Sequence, residues 1–201
     1  MEAWYLGTMA GYAMADVISG NYNPSACLTM SFPRSVGQIP VYYNHKNTGR
    51  PVSAENPKED YRSFYLDSPN TPLYPFGYGL SYTTFEIRNM RMNTNILRPG
   101  GELEVSAVVV NTGDRDGETV VQLYIRDVTG SVTRPVKELR GFQKVFLPKG
   151  DSVQVEFTIT PETIAMYNHE MKYVAEPGDF KVWIAAHAED NTHEGNFSYR
   201  K

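Results

Sequence analysis

Four stretches in which apolar residues recur at every second position constrain the fold of this chain more than anything else in it. Leu103, Val105, Ala107 and Val109 share one phase of the segment from Glu102 to Val110, and Val121, Leu123 and Ile125 share one phase of the next. Val153, Val155, Phe157 and Ile159 alternate with Gln154, Glu156 and Thr158, while Phe180, Val182, Ile184 and Ala186 alternate with Lys181, Trp183 and Ala185. A period of two marks strands with one buried face. That phase places Trp183 outward. Turn chemistry separates the runs at Pro99-Gly100-Gly101, Asn111-Thr112-Gly113, Asp116-Gly117, Pro148-Lys149-Gly150 and Pro177-Gly178-Asp179. Further strands are expected near Phe85 to Met92, Lys137 to Leu147 and Asn196 to Tyr199. Seven or eight short strands so punctuated predict a mostly β fold, an antiparallel sandwich. One helical turn is expected at Pro161 to Tyr167, with Pro161 in the first turn and Thr160 as its cap.

The alternation begins just after a run of different texture, PLYPFGYGLSYTTF, Pro72 to Phe85. Pro72, Pro75, Gly77 and Gly79 exclude a helix interior and favour turns and extended chain. Tyr74, Phe76, Tyr78 and Tyr82, with Leu73 and Leu80, are large side chains to bury, which a flexible linker lacks. The run is therefore predicted to be a strut clamped between the parts it joins.

Upstream, Trp4, Gly7, Gly11, Ala15 and Ile18 recur at helical spacing between Glu2 and Ser19. The row Gly7, Gly11, Ala15 would admit another backbone at close range. Tyr5, Met9, Tyr12 and Val17 supply bulk elsewhere, so the helix expects cover on more than one side. Trp4, Tyr5, Met9 and Tyr12 are accordingly expected to be covered, by the sandwich or by a second copy of the chain. Gly20 is placed to end the helix left-handed, and Asn23-Pro24 follows as a turn. From Thr48 to Thr71 the chain is polar and broken by proline, which predicts loop.

Several partner and chemistry classes fall away on composition. A formal charge of -4 leaves no basic surface for nucleic acid or an anionic membrane. No long apolar run predicts a membrane span, and no signal peptide is visible. The single cysteine, Cys27, excludes an internal disulfide, and His45, His169, His187 and His193 lack ligand-like spacing, so neither metal nor cofactor is expected.

The motif Pro72 to Phe85 resembles the segment leading into the fibronectin-III-like C-terminal domain of glycoside hydrolase family 3 enzymes, the β-glucosidases and β-xylosidases. The likeness extends upstream through Ala15-Asp16-Val17, Gly20, Asn23-Pro24-Ser25, Phe32-Pro33-Arg34 and Gln38-Ile39-Pro40, which are similar to the end of that family's α/β-sandwich domain. It extends downstream through Val110-Asn111-Thr112-Gly113, Val121-Gln122-Leu123-Tyr124, Arg134-Pro135-Val136-Lys137-Glu138-Leu139 with Gly141-Phe142, and Ala175-Glu176-Pro177-Gly178. Leu6 stands where the family usually has proline, and Ala26-Cys27 replaces a glycine-rich turn, which touches local geometry only. The resemblance implies three parts: residues 1–71 as the remnant of the α/β-sandwich domain, 72–84 as the strut, and 85–201 as an immunoglobulin/fibronectin-III-like sandwich that should fold by itself.

Glycoside hydrolysis needs two carboxyl groups flanking the bond, about 5 Å apart in retaining enzymes. Glu102, Glu104, Asp114, Asp116, Glu118, Glu156 and Asp179 fall on outward phases or in turns, where solvated carboxylates are the default. By resemblance, the aspartate nucleophile lies in an N-terminal barrel domain and the glutamate acid/base in the α/β sandwich, both upstream of the matched part. No catalytic residue is therefore expected here. Tyr61, Arg62 and Tyr65, and Tyr74, Phe76 and Tyr78 of the strut, are the residues that could lie near a sugar, against plain packing. Two function classes result. The chain is either the scaffold portion of a retaining exo-β-glucosidase, or of a β-xylosidase, or else an autonomous immunoglobulin-like module that binds a glycan or a protein through aromatics such as Trp183. The first implies upstream barrel and α/β domains as partners, a β-linked oligosaccharide acting through the parent, and a periplasmic or secreted location. Self-association remains open in both.

Overall fold

A computed structural model describes residues 1–52 and 61–201; part of the loop predicted between Thr48 and Thr71 thus lies outside the described residues. A helix, α1 (Ala10–Ser19), precedes β1 (Phe85–Met92), β2 (Ile96–Leu97), β3 (Leu103–Asn111), β4 (Gly117–Asp127), β5 (Glu138–Leu147) and β6 (Ser152–Ile159). A short helix, α2 (Pro161–Ile164), then leads to β7 (Met166–Tyr167), β8 (Tyr173–Val174), β9 (Gly178–Ala185) and β10 (Glu194–Tyr199). One sheet has the order β1-β3-β6 and the other β2-β10-β9-β4-β5, with β7 and β8 forming a small hairpin. All pairings are antiparallel except the two-residue contact of β2 with β10. This is the predicted sandwich.

The alternating residues meet between the sheets because register keeps them in phase. Val105 lies opposite Phe157 and Ala107 opposite Val155 in one sheet, and Leu123 lies opposite Ile184 in the other. These side chains are buried in one cluster with Val109, Val121 and Val182. Thr163 Oγ1 accepts a hydrogen bond from the Thr160 N–H at 3.1 Å, which starts α2 where the sequence places it. The helical turn is shorter than expected: it stops at Ile164, and Met166–Tyr167 pairs as β7.

Two expectations are corrected. β4 and β9 are buried on both faces, since Gln122, Tyr124, Trp183 and Ala185 are as covered as the inter-sheet residues. Trp183, predicted outward and available as a contact, is only 4% exposed, because Tyr43, Phe76 and Leu139 cover that outer face. The N-terminal helix starts at Ala10 rather than Glu2. Its N-cap is Met9, which offers no side-chain acceptor, Gly7 is a poor helix former, and the Glu2 carboxylate instead accepts the Trp4 N–H at 3.0 Å. At the other end Gly20 caps the helix at φ 81°, as expected.

The N-terminal apolar residues are not covered by the sandwich. Trp4 is 55% exposed, Met9 64% and Tyr12 71%, and Tyr5 is fully open to solvent. A Cβ built on Gly7 or Gly11 would meet nothing within 4 Å. The small-residue face thus has no backbone against it within the described residues.

Candidate functional site

The strut is held from both sides. Its backbone pairs with the upstream segment through Leu28 N–H to Tyr78 O, Gly77 N–H to Leu28 O and Phe32 N–H to Tyr74 O, each 2.8 Å. Toward the sandwich, the Ala188 N–H donates to Phe76 O at 2.9 Å. Phe76 stacks on Tyr43 with ring centroids 4.3 Å apart, and Tyr43 meets Tyr124 edge-on at 5.8 Å. A second series of ring contacts runs from Trp4 through Phe32, Tyr74 and Tyr78 to His187. Asn23 closes the far end, donating to Asp116 O while its Oδ1 accepts from the Ser81 hydroxyl and the Tyr82 N–H.

Of the residues singled out in the sequence, Tyr74, Phe76 and Tyr78 are brought together as strut packing. Tyr61 stands apart, 86% exposed. Arg62 donates to Pro51 O at 3.0 Å, and the Tyr65 hydroxyl donates to Gln38 O at 3.2 Å. Gln38 is itself buried: it accepts the Arg34 N–H and donates to the carbonyls of Pro69, Asn70 and Thr71. The Phe-Pro-Arg and Gln-Ile-Pro steps therefore fasten the turn that precedes the strut.

Periodicity did not reveal two buried polar residues on this outer face: Gln122, which locks strut to sandwich, and Lys137, which ties the start of β5 to the loop after β9. Gln122, 3% exposed on β4, donates from Nε2 to Ala186 O at 2.8 Å and to Gly77 O at 3.3 Å, and its Oε1 accepts from the Tyr124 hydroxyl. Burial pushes the Tyr124 phenol well above the ordinary tyrosine range. Lys137, 6% exposed, donates to Ala188 O, Asp190 O and Asn191 Oδ1 at 2.8–3.1 Å, with its ammonium over the rings of Trp183 and Tyr124. Burial lowers its pKa to about 8, against the opposing pull of Glu189, Asp190 and Glu194. Polar residues on an otherwise apolar outer face were the available signal.

Gly77 shows how tight the lock is. Its φ is 81°, and a Cβ there would sit 2.3 Å from Gln122 Oε1 and 2.7 Å from Nε2. Gly150 has a similar φ of 79° with nothing within 4 Å. The left-handed conformation alone costs a side chain roughly 1–2 kcal/mol. Gly77→Ala is expected to exceed the loss in Gly150→Ala, because Gln122 must give up its bonds as well; urea unfolding of both variants measures the difference.

Several carboxylates of the sandwich are engaged. Glu118 meets Lys144 at 2.7 Å, Glu194 meets Lys181 at 2.6 Å and accepts from the Trp183 indole, and Asp179 meets Arg200 at 2.7 Å. The Lys144 ammonium, followed by the Ser25 hydroxyl, holds the Glu118 carboxyl below the usual range. Among the described residues no group of three or more His, Cys, Asp or Glu is placed to hold a metal ion, and no helix is long and apolar enough to cross a membrane.

Comparison with known proteins adds the decisive observation. Residues 1–82 match the glycosyl hydrolase family 3 C-terminal domain, and residues 119–188 match a fibronectin type III-like domain. The chain belongs to glycosyl hydrolase family 3. It is 52% identical over 184 residues to a periplasmic β-glucosidase of Salmonella typhimurium, covering 92% of this chain and 24% of the relative. A β-xylosidase of Formosa agariphila is 42% identical over 186 residues, covering 92% and 25%. A solved β-glucosidase of Listeria innocua, in complex with glucose, superposes with a TM-score of 0.93 at 46% identity, covering all of this chain and 28% of that one. This family 3 chain thus spans about a quarter of the length of the relatives it matches. The sandwich, the strut and the segment before it correspond to the C-terminal region of such proteins.

Proposed function

We propose that the chain is the C-terminal scaffold of a retaining, exo-acting β-glucosidase, supplying neither catalytic carboxyl and packing against upstream barrel and α/β domains of the same protein. The observation that carries this reading is the open apolar face formed by Trp4, Tyr5, Met9 and Tyr12, in a chain whose relatives are about four times as long. A face of that kind calls for cover. The parts are residues 1–71, which complete the α/β domain, the strut 72–84, and the sandwich 85–201, whose outer face the strut seals. The sandwich folds by itself but needs the strut and Tyr43 to keep Tyr124 and Trp183 dry. A β-linked oligosaccharide is bound and cleaved in the assembled protein, in the periplasm or outside the cell; a β-xylosidase parent is the alternative, and the higher identity to the Salmonella β-glucosidase favours the first. The burial of Trp183 weighs against an autonomous binding module.

The test is reconstitution. When the polypeptide encoded upstream of this segment in its natural gene is co-expressed with the chain, the two should co-purify and hydrolyse an aryl β-glucoside, and Tyr5→Asp with Met9→Asp should abolish both. An upstream polypeptide that is fully active and ignores the chain would refute the scaffold role.

A further inference from the structure

The cover that the strut and Tyr43 give the outer face ends partway along β5, the edge strand of its sheet. Leu139 joins that cover, but Phe142 is 67% exposed and Phe146 60%. Both point outward, because Phe142 lies opposite Gln122 and Phe146 opposite Glu118, and residues directly opposite in an antiparallel pair share a face. Lys144 stands between them, opposite Val120 and 2.7 Å from the Glu118 carboxylate. At about 3.3 Å per residue the two phenylalanines are about 13 Å apart, with the aliphatic stem of the lysine in the gap. Of the nine phenylalanines in the chain, these two alone are exposed. A phenylalanine has no polar tip to keep in water, so a pair of them on one strand face marks a contact surface.

Position decides what covers it. Residues 1–71 meet the sandwich at the end where Phe146 stands: Asn23 donates to Asp116 O at 2.9 Å, and the Ser25 hydroxyl donates to Glu118, the residue opposite Phe146, at 3.0 Å. Exposed Leu80 of the strut borders the same part of β4, lining one cleft with Glu118 and Val120. The ridge is thus continuous with the interface that joins residues 1–71 to the sandwich. A second copy of the chain is disfavoured as the cover. The antiparallel register that sets each Phe142 against the Phe146 of another copy also sets Lys144 against itself, and like charges directly opposite destabilise paired strands.

We propose that the ridge of Phe142, Lys144 and Phe146 is a docking surface for the upstream α/β domain of the same protein, which grips the sandwich directly as well as through residues 1–71. The patch that covers it is apolar and carries no net charge, since Lys144 and Glu118 neutralise each other. This inference rests on the scaffold reading above. Lys144→Cys places a thiol between the two rings, and Gln154→Cys places one on the exposed face of β6 in the other sheet as a control. Maleimide labelling is followed by peptide mass, so that Cys27 is read separately. In the whole protein encoded by the natural gene, labelling at 144 should be at least tenfold slower than in the isolated chain, with no change at 154. Phe142→Ser with Phe146→Ser should lower the thermal midpoint of the whole protein by several degrees and leave that of the isolated chain nearly unchanged, since neither ring is in the core. Equal labelling at 144 in both proteins, equal slowing at both positions, or a double variant that shifts both midpoints alike would each overturn the proposal. Protection at 144 that grows with the concentration of the isolated chain would assign the ridge to a second copy and overturn it too. None of these results touches the co-purification test at Tyr5 and Met9, and an upstream polypeptide that is active without the chain would refute the scaffold role even with 144 protected.

Discussion

Lys137→Ala should destabilise the chain by about 2–4 kcal/mol, the cost of leaving buried acceptors without their donor and of losing a packed stem. Three acceptors, Ala188 O, Asp190 O and Asn191 Oδ1, lose their donor, at roughly 1–3 kcal/mol for each that stays buried. The aliphatic stem also leaves the rings of Tyr124 and Trp183. Removing a buried positive charge offsets part of this. Lys137→Met keeps the stem and should cost less. The pH dependence separates the contributions. Lys137 titrates near 8 when folded and near its ordinary 10.5 when unfolded, so the unfolded chain holds more protons between those values. Stability from this group is therefore present above about 10.5 and lost as pH falls through about 8. Urea melts at about pH 7 and about pH 10 should show the wild type gaining relative to Lys137→Met as pH rises. A constant difference would show that the ammonium is not desolvated.

Phe157→Ala should cost about 3–5 kcal/mol, whereas Glu156→Ala should stay within about 0.5 kcal/mol. Phe157 is 7% exposed and faces the core opposite Val105, with Gly141 of the other sheet leaving room for its ring. Glu156 points outward from the neighbouring position, and its carbonyl, which accepts from Gln143, survives the substitution. Comparable losses in a urea melt would mean that the strand's phase, and with it the sandwich, is wrong.

These two sites mark what the sequence discloses. The inward phase at Phe157 is legible because β6 has one wet face, the situation in which alternation carries information. Lys137, Gln122 and Trp183 lie where that assumption fails. The outer face of β4 and β9 is covered by Tyr43 and Phe76, and the Tyr43 hydroxyl accepts from a Leu139 N–H 96 residues away. No local pattern announces a contact so remote. The strut was legible in part: Phe76 and Tyr78 pack as aromatics among prolines and glycines suggest, but Leu73, Tyr74, Leu80 and Tyr82, also expected to be buried, stay exposed. The helix was legible only in its second half. Gly20 gives a local stop signal, but the spacing from Trp4 to Met9 is helical without a cap to begin a helix. The cover expected over that segment follows from its apolar side chains alone, which cannot say whether the covering surface belongs to the same chain.

The central claim is that this chain supports catalysis without performing it, and the turnover number of the pure chain tests that claim most directly. With aryl β-glucoside or β-xyloside as substrate, the account predicts release no faster than from a mock purification. Turnover in the range of ordinary enzymes, about 1 per second or more, would contradict it.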